Sequence, residues 1–193
     1  MSSRRAFVAG SIALAAFPAA AAKRLPPLKI GAIYWPGPGH DLHGFMAIPG
    51  KAQGPQPAVL VLAGASGADQ FARGLADALA VAGFVTCLPK TPLSADEAIA
   101  TLHWLATNRY ATGKVAVVGV GEGSSLVGRL SAASDARLSC GVIFGGAAEA
   151  PETAVPILRL PAMAGSNDPA AYTASWEQAI AFLSEQLQPP RKH

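Results

Sequence analysis

The sequence is poor in the residues that cross-link small domains or hold metal ions. Its 193 residues include two cysteines, too few for a disulfide framework, and four histidines that are scattered along the chain. Charged residues make up 14% and aromatic residues 7%, against 51% hydrophobic residues, and this composition excludes a disordered chain. A chain of this length can bury a proper core as one domain. We therefore predict a globular domain that holds no metal and no cofactor.

Apart from the N-terminus, the sequence also lacks an apolar run of the roughly 18 residues that a membrane-spanning helix needs. The first 22 residues have the layout of an export signal: Arg4 and Arg5 precede an apolar run from Val8 to Phe17, and small residues follow to Ala22. The paired arginines resemble the twin-arginine motif of bacterial proteins that are exported already folded. We predict cleavage near Ala22, a periplasmic location and no permanent membrane span. The alternatives are an Ala-rich N-terminal helix or a leader that is retained as an anchor.

The positive net charge of +3 does not indicate a nucleic-acid partner, because the excess basic residues do not lie in the part of the chain that we expect to fold. The excess of basic residues lies in the leader and at the two ends of the remaining chain. Residues 30–190 contain 8 basic and 12 acidic residues. A mildly acidic body lacks the basic surface that binding to a phosphate backbone requires. We therefore expect no nucleic-acid partner.

Residues 23–56 and 57–190 differ in pattern, although we expect them to form one domain. Residues 25–57 contain seven prolines and six glycines, which favour short pieces of structure. Lys29–Trp35 and Leu42–Ile48 are predicted there as short edge strands. From Pro57 onward, apolar runs alternate with segments of helical periodicity.

Those apolar runs predict a buried sheet with helices packed on it. The predicted strands are Ala58–Ala63, Phe84–Leu88, Val115–Val118, Gly141–Phe144 and, more weakly, Ile157–Met163. The predicted helices carry Phe71, Leu75 and Leu79; Ile99, Leu102 and Ala106, after a capping box of Ser94 and Glu97; Leu126, Val127 and Leu130; and Trp176, Ile180, Leu183 and Leu187. This alternation predicts a three-layer α/β/α sandwich with a mostly parallel sheet. Ligands bind such sheets at the carboxyl ends of the strands.

The glycine-rich turn Gly119–Gly123, which follows the third of these strands, has two functional interpretations. One is a dinucleotide-binding loop, whose G-x-G-x-x-G pattern would need glycine where Ser124 stands and an acid in the next strand, which is missing. The other is a nucleophile elbow, in which glycines two residues before and after the nucleophile permit a sharp strand-to-helix turn. Gly119 and Gly123 fit those flanking positions, and they place Gly121 where the nucleophile should be.

The order of motifs resembles the dienelactone hydrolases, a branch of the α/β-hydrolase fold, over most of residues 42–188. The matching segments are Leu42–Pro49, Pro57–Gly67, Gly83–Pro89, the elbow Gly119–Gly123, and Gly165–Asp168. The resemblance implies a minimal α/β-hydrolase fold without a cap domain, and it places Asp168 at the acid of the catalytic triad. It also implies an oxyanion site formed by the backbone N–H groups of Ala65 and Glu122, in a pocket bordered by Gly64 and Gly67.

The chain departs from the family where the chemistry should be. Gly121 replaces the nucleophilic cysteine, Ala63 and Gly64 replace the family's His-Glu pair, and the loop that carries the triad histidine after Asp168 is missing. Glycine also relieves the backbone strain of the nucleophile position, because a positive φ costs it little. We therefore predict an exported dienelactone-hydrolase-like protein without a working triad. It would retain a pocket for a partner or for a small molecule with a carbonyl or carboxylate group.

Two alternatives remain open at the level of the sequence. The first is an active carboxylic-ester or lactone hydrolase that uses Ser124 as nucleophile or a histidine from outside the family's loop, although serine at position 124 also suits the N-cap or first turn of a helix. The second is a nucleotide-binding module at Gly119–Gly123. Glu122 is expected either to bind a cationic group or to favour the helix N-terminus electrostatically.

The two cysteines are predicted to be buried free thiols. Cys87 and Cys140 should lie on strands three positions apart, which at about 4.8 Å per strand is roughly 14 Å. A disulfide needs Cα atoms less than about 7 Å apart. The unfolded, unreduced protein should therefore expose two thiols to a labelling reagent.

Overall fold

A computed structural model of the protein describes residues 27–133, 135–145, 153–162 and 169–187. The predicted export signal, Asp168 and His193 lie outside the described residues. Within the described ranges the strands are β1 (Leu28–Pro36), β2 (Asp41–Pro49), β3 (Gln56–Leu62), β4 (Val85–Pro89), β5 (Ala111–Val120), β6 (Leu138–Phe144) and β7 (Ile157–Leu160). The helices are α1 (Gln70–Val81), α2 (Ala95–Ala106), α3 (Gly123–Ala132) and α4 (Pro169–Leu187).

The strands form one mixed sheet in the order β1-β2-β4-β3-β5-β6-β7. The pairs β1–β2 and β2–β4 are antiparallel, and the other four pairs are parallel. The predicted mostly parallel sheet is therefore confirmed. One prediction for the N-terminal segment is wrong: the strand at Leu42–Ile48 is not an edge strand, because β2 lies between β1 and β4. Proline ends both β1 and β2 rather than interrupting them, so each strand reaches nine residues.

Two helical layers cover the sheet, and each protects its own core. Leu75 of α1 and Leu183 of α4 pack on one face, whereas Leu102 of α2 and Leu130 of α3 pack on the other. Successive residues of β3 pack into the two cores in alternation. Its residues from Ala58 to Leu62 are all buried, as the continuous apolar run of that strand predicts. The three-layer α/β/α sandwich is thus confirmed.

Several strand ends differ from the sequence prediction by a few residues. β5 extends four residues before the predicted Val115, where Ala111 pairs with Gln56 of β3, and two beyond Val118, because its pairing with β6 continues to Val120. β7 stops at Leu160, since Pro161 has no N–H to continue the ladder. The capping box of Ser94 and Glu97 is present at the start of α2. None of the helices described is long and apolar enough to cross a membrane.

The cysteines occupy the predicted places. Cys87 lies on β4 and Cys140 on β6, with β3 and β5 between them, and both are buried free thiols. Burial raises the pKa of the Cys140 thiol to about 12 and that of Cys87 further still. Neither thiol is therefore a nucleophile at neutral pH, since the thiolate is the reactive form.

Candidate functional site

The candidate site lies at the carboxyl ends of β3, β4 and β5, where the turn from β5 into α3 meets the loop from β3 to α1. Gly121, at the tip of the first turn, has φ +57° and is exposed. Its backbone oxygen accepts a hydrogen bond from the Ser124 N–H at 3.1 Å. A Cβ at Gly121 would have no atom within 4 Å. The position thus has the left-handed backbone of a nucleophile elbow, with room for a side chain and none in place.

The two flanking glycines are required by close packing. A Cβ on Gly119 would lie 2.6 Å from Val127 Cγ2 and 2.8 Å from the Ser124 Cα. A Cβ on Gly123 would lie 2.2 Å from the backbone oxygen of Leu62. Helix α3 therefore begins directly against β3 and β5, and this close approach explains the glycine spacing without a bound phosphate.

The loop from β3 to α1 folds back toward the end of β4. Gly67 has φ +62°, and its N–H donates to the Gly64 oxygen at 2.9 Å. A Cβ on Gly67 would lie 2.3 Å from the Lys90 oxygen, which already accepts a hydrogen bond from the Ala68 N–H. Glycine is thus the residue that this turn tolerates, and the turn presents Ala65 to the start of α3.

The Glu122 carboxylate connects this loop to the elbow. Its Oε2 accepts a hydrogen bond from the Ala65 N–H at 3.1 Å. Glu122 is the N-cap residue of α3 but makes no side-chain capping bond, so local capping is not its role. A Cβ on Gly64 would lie 3.4 Å from the Glu122 backbone nitrogen, which shows how closely the two segments approach. One expected oxyanion donor therefore already holds a carboxylate of the protein itself.

Ser124 points away from this site. Its side chain is buried, and its Oγ donates to the Gly145 oxygen at 2.9 Å, beyond the end of β6. Of the N-cap and first-turn interpretation of Ser124, the N-cap part is wrong, because Glu122 occupies the N-cap; Ser124 does lie in the first turn of α3, which begins at Gly123. The reason is that the turn is already helical at Glu122, whose φ is −64° and ψ −26°.

A cavity of about 360 Å³ opens between α3, the β3–α1 loop and the segment between β4 and α2. Two charged residues, Glu122 and Arg129, are among those that line it. The lining residues are Val61, Leu62, Ala63, Gly64, Ala65, Pro89, Thr91, Pro92, Leu93, Glu122, Gly123, Ser125, Leu126 and Arg129. Sequence reasoning missed Arg129. The available signal was its spacing, seven residues after Glu122 on the same helix face.

The histidines of the described ranges are engaged elsewhere, and none lines the cavity. His103 Nε2 lies 2.5 Å from Asp135 Oδ2, at the far end of α2. His40 Nε2 lies 3.1 Å from Glu97 Oε1, and the His43 ring stacks on an aromatic ring of β1. Within the part of the chain that the structure covers, no three metal-ligating side chains come together.

Solved structures with this architecture include dienelactone hydrolase-like proteins and esterases. A dienelactone hydrolase-like promiscuous phosphotriesterase from metagenomic libraries is 17% identical, with a TM-score of 0.68 over 83% of this chain and 99% of the other. A dienelactone hydrolase from Anabaena variabilis is 16% identical, with a TM-score of 0.65 over 83% and 99%. A cold-adapted esterase from an Arctic intertidal metagenomic library is 12% identical, with a TM-score of 0.62 over 83% and 95%.

These likenesses establish the fold. The similarity to dienelactone hydrolases that the motifs indicated is confirmed at that level, and the chain has the α/β-hydrolase fold. No family model matches the sequence. No curated protein matches it either.

Proposed function

We propose that this protein is an exported, non-catalytic member of the α/β-hydrolase architecture that binds a small molecule in the cavity beside the elbow. The observation that carries this proposal is Gly121. The position has the backbone and the open space of a nucleophile, but it has no side chain that can attack a substrate.

The surroundings of Gly121 support the loss of acyl-transfer chemistry. Such chemistry needs a nucleophile, a base within hydrogen-bond reach and donors for the oxyanion. The nearest buried hydroxyl, that of Ser124, faces the end of β6, and no described histidine lines the cavity. The Glu122 carboxylate occupies the Ala65 N–H, and it would repel a developing oxyanion there. We still assign Asp168 to the acid position of the triad, but the nucleophile position of that triad holds Gly121.

Binding is the activity that the remaining geometry supports. The cavity is at the lower end of the volumes found for small-molecule sites, and it lies at the carboxyl ends of parallel strands, where such folds bind ligands. A ligand carboxylate would find its partner in the Arg129 guanidinium rather than at the oxyanion donors. Nucleotide binding has less support, because packing accounts for the glycines and Glu122 presents negative charge at the helix start.

The central test is hydrolysis of activated aryl esters such as p-nitrophenyl acetate. The purified protein should release nitrophenol no faster than the buffer background, and Ser124→Ala should not alter that rate. Turnover well above background that disappears in Ser124→Ala would contradict the proposal and establish the hydrolase alternative. Saturable binding of NAD, measured by calorimetry, would instead favour the nucleotide alternative.

Export is the second part of the proposal, and it rests on Arg4, Arg5 and the apolar run that follows them. The double substitution Arg4→Lys and Arg5→Lys keeps the charge but removes the paired arginines that the twin-arginine export system recognises. We expect the periplasmic fraction of the protein in a bacterial host to fall at least tenfold. The single change Lys23→Arg, just beyond the predicted cleavage site, is the matched control and should leave the fraction unaltered. Equal export of the double variant would contradict a twin-arginine signal.

A further inference from the structure

One face of α3 forms a wall of the cavity and carries a charge at each end. Glu122, Ser125, Leu126 and Arg129 all line the cavity. The backbone of Glu122 is already helical, so the four residues fall within one stripe at about 100° per residue. Along this stripe the order is acid, hydroxyl, apolar side chain and base.

The two charges stand apart and do not neutralise each other. Residues seven apart on a helix are separated by about 10.5 Å along its axis. Accordingly, Glu122 and Arg129 form no ion pair with each other, and among the described residues no other carboxylate pairs with the Arg129 guanidinium. A cation and an anion that stand apart on one cavity wall are complementary to a ligand that has both charges.

The acid at one end is held in place. The Ala65 N–H donates to Oε2 of Glu122 and fixes the carboxylate against the cavity wall. A carboxylate has about four acceptor sites, so this bond leaves capacity for a further donor. The Ser125 hydroxyl donates to the Glu122 backbone oxygen at 2.9 Å, so it does not compete for that carboxylate.

The segment between β4 and α2 contributes mainly apolar residues to the cavity lining. They are Pro89, Pro92 and Leu93, with Thr91 among them. An alkyl or similarly apolar segment between two charged ends would pack against these residues while its ends reached Glu122 and Arg129. Single-charge ligands would leave one of the two cavity charges without a partner.

We propose that the cavity binds a linear amino-carboxylate, whose ammonium group pairs with Glu122 and whose carboxylate pairs with Arg129. This inference rests on the proposed binding function and names its ligand class. The spacing of Glu122 and Arg129 along the helix favours ligands longer than an α-amino acid such as glycine. Ligands with several methylene groups between ammonium and carboxylate should bind best.

The test is a calorimetric titration of the purified protein with a series of probes. The series contains glycine, 4-aminobutanoate, 6-aminohexanoate and 8-aminooctanoate, with hexanoate and hexylamine as the single-charge controls. We expect the dissociation constant of 6-aminohexanoate or 8-aminooctanoate to be at least tenfold lower than those of glycine, hexanoate and hexylamine.

Two isosteric variants assign the charges. Arg129→Gln should weaken binding of the best amino acid about tenfold and leave hexylamine unaffected. Glu122→Gln, which keeps an acceptor oxygen for the Ala65 N–H, should weaken it similarly and leave hexanoate bound equally well or more tightly. Arg109→Gln and Glu185→Gln are matched controls, since Arg109 precedes β5 at the opposite end of the sheet and Glu185 is an exposed residue of α4.

Three outcomes would overturn this ligand class: hexanoate binding as tightly as 6-aminohexanoate, equal losses in the control variants, or no binding of any probe at 10 mM. The first leaves the proposed binding function standing, because a ligand still occupies the cavity. Ester turnover in the hydrolysis assay, by contrast, defeats the proposed function whatever the probes do.

Discussion

Gly121→Cys is expected to yield a protein in which one thiol reacts rapidly in the native state, whereas the wild-type protein shows none. The new side chain would extend into open space, because no atom lies within 4 Å of its Cβ, and the position is exposed. The native Cys87 and Cys140 are buried, and burial raises the pKa of both thiols. They therefore react only when the structure opens, which for core strands slows labelling on the order of 10³-fold or more.

The substitution should be tolerated by the fold. A residue other than glycine in the left-handed region costs roughly 1–2 kcal/mol, and no steric overlap adds to this cost at position 121. Labelling with a chromogenic disulfide reagent should give one equivalent in the native variant and three after unfolding, against none and two for the wild type. Gly39→Cys is the matched control, since Gly39 has φ +84° and equally open space but lies in the turn between β1 and β2, outside the elbow and the cavity lining.

The same variant distinguishes a missing nucleophile from a missing triad. p-Nitrophenyl acetate should acylate the introduced thiol of Gly121→Cys once, giving a burst of one equivalent. Steady turnover should stay at background, because no described histidine lines the cavity to serve as base. Sustained hydrolysis by Gly121→Cys would show that a working base reaches the elbow. Slow labelling of Gly121→Cys, with rapid labelling of Gly39→Cys, would mean that the elbow is closed.

The main features of the fold follow from local patterns in the sequence. Continuous apolar runs predict strands that are buried on both faces, and the alternation with helices predicts their parallel order. The position of β2 could not be predicted from the segment itself. Its prolines and glycines indicate an interrupted edge, whereas its place inside the sheet depends on pairing with β4, about forty residues later in the chain.

Of the candidate site, only the turn from β5 into α3 could be predicted from the sequence. Gly119, Gly121 and Gly123 could be assigned to an elbow because a strand-to-helix turn imposes their spacing. The contact between Glu122 and Ala65 joins residues 57 positions apart, and no local signal specifies that a carboxylate will reach an expected oxyanion donor. Ser124 shows the converse, since its local sequence favoured a cap but its hydroxyl reaches Gly145 on a neighbouring strand end.

Gly123→Ala is expected to destabilise the protein by about 3 kcal/mol or more, and Gly121→Ala by only about 1 kcal/mol. At position 123 the new Cβ would lie 2.2 Å from the Leu62 oxygen. Leu62 ends the central strand β3, which is paired on both sides and cannot move away. The overlap therefore has to be relieved by moving α3 off the sheet.

Urea denaturation of the two variants measures this difference directly. Alanine is favoured over glycine inside a helix by up to about 1 kcal/mol, which offsets part of the loss at Gly123 but not at Gly121, outside the helix. If the two variants differ by less than about 0.5 kcal/mol, α3 does not approach β3 as closely as described. Displacement of α3 would also pull the Glu122 carboxylate away from the Ala65 N–H, because Glu122 directly precedes the glycine that moves. Gly123, which lets α3 approach β3, is thus also required for the hydrogen bond between the Ala65 N–H and the Glu122 carboxylate.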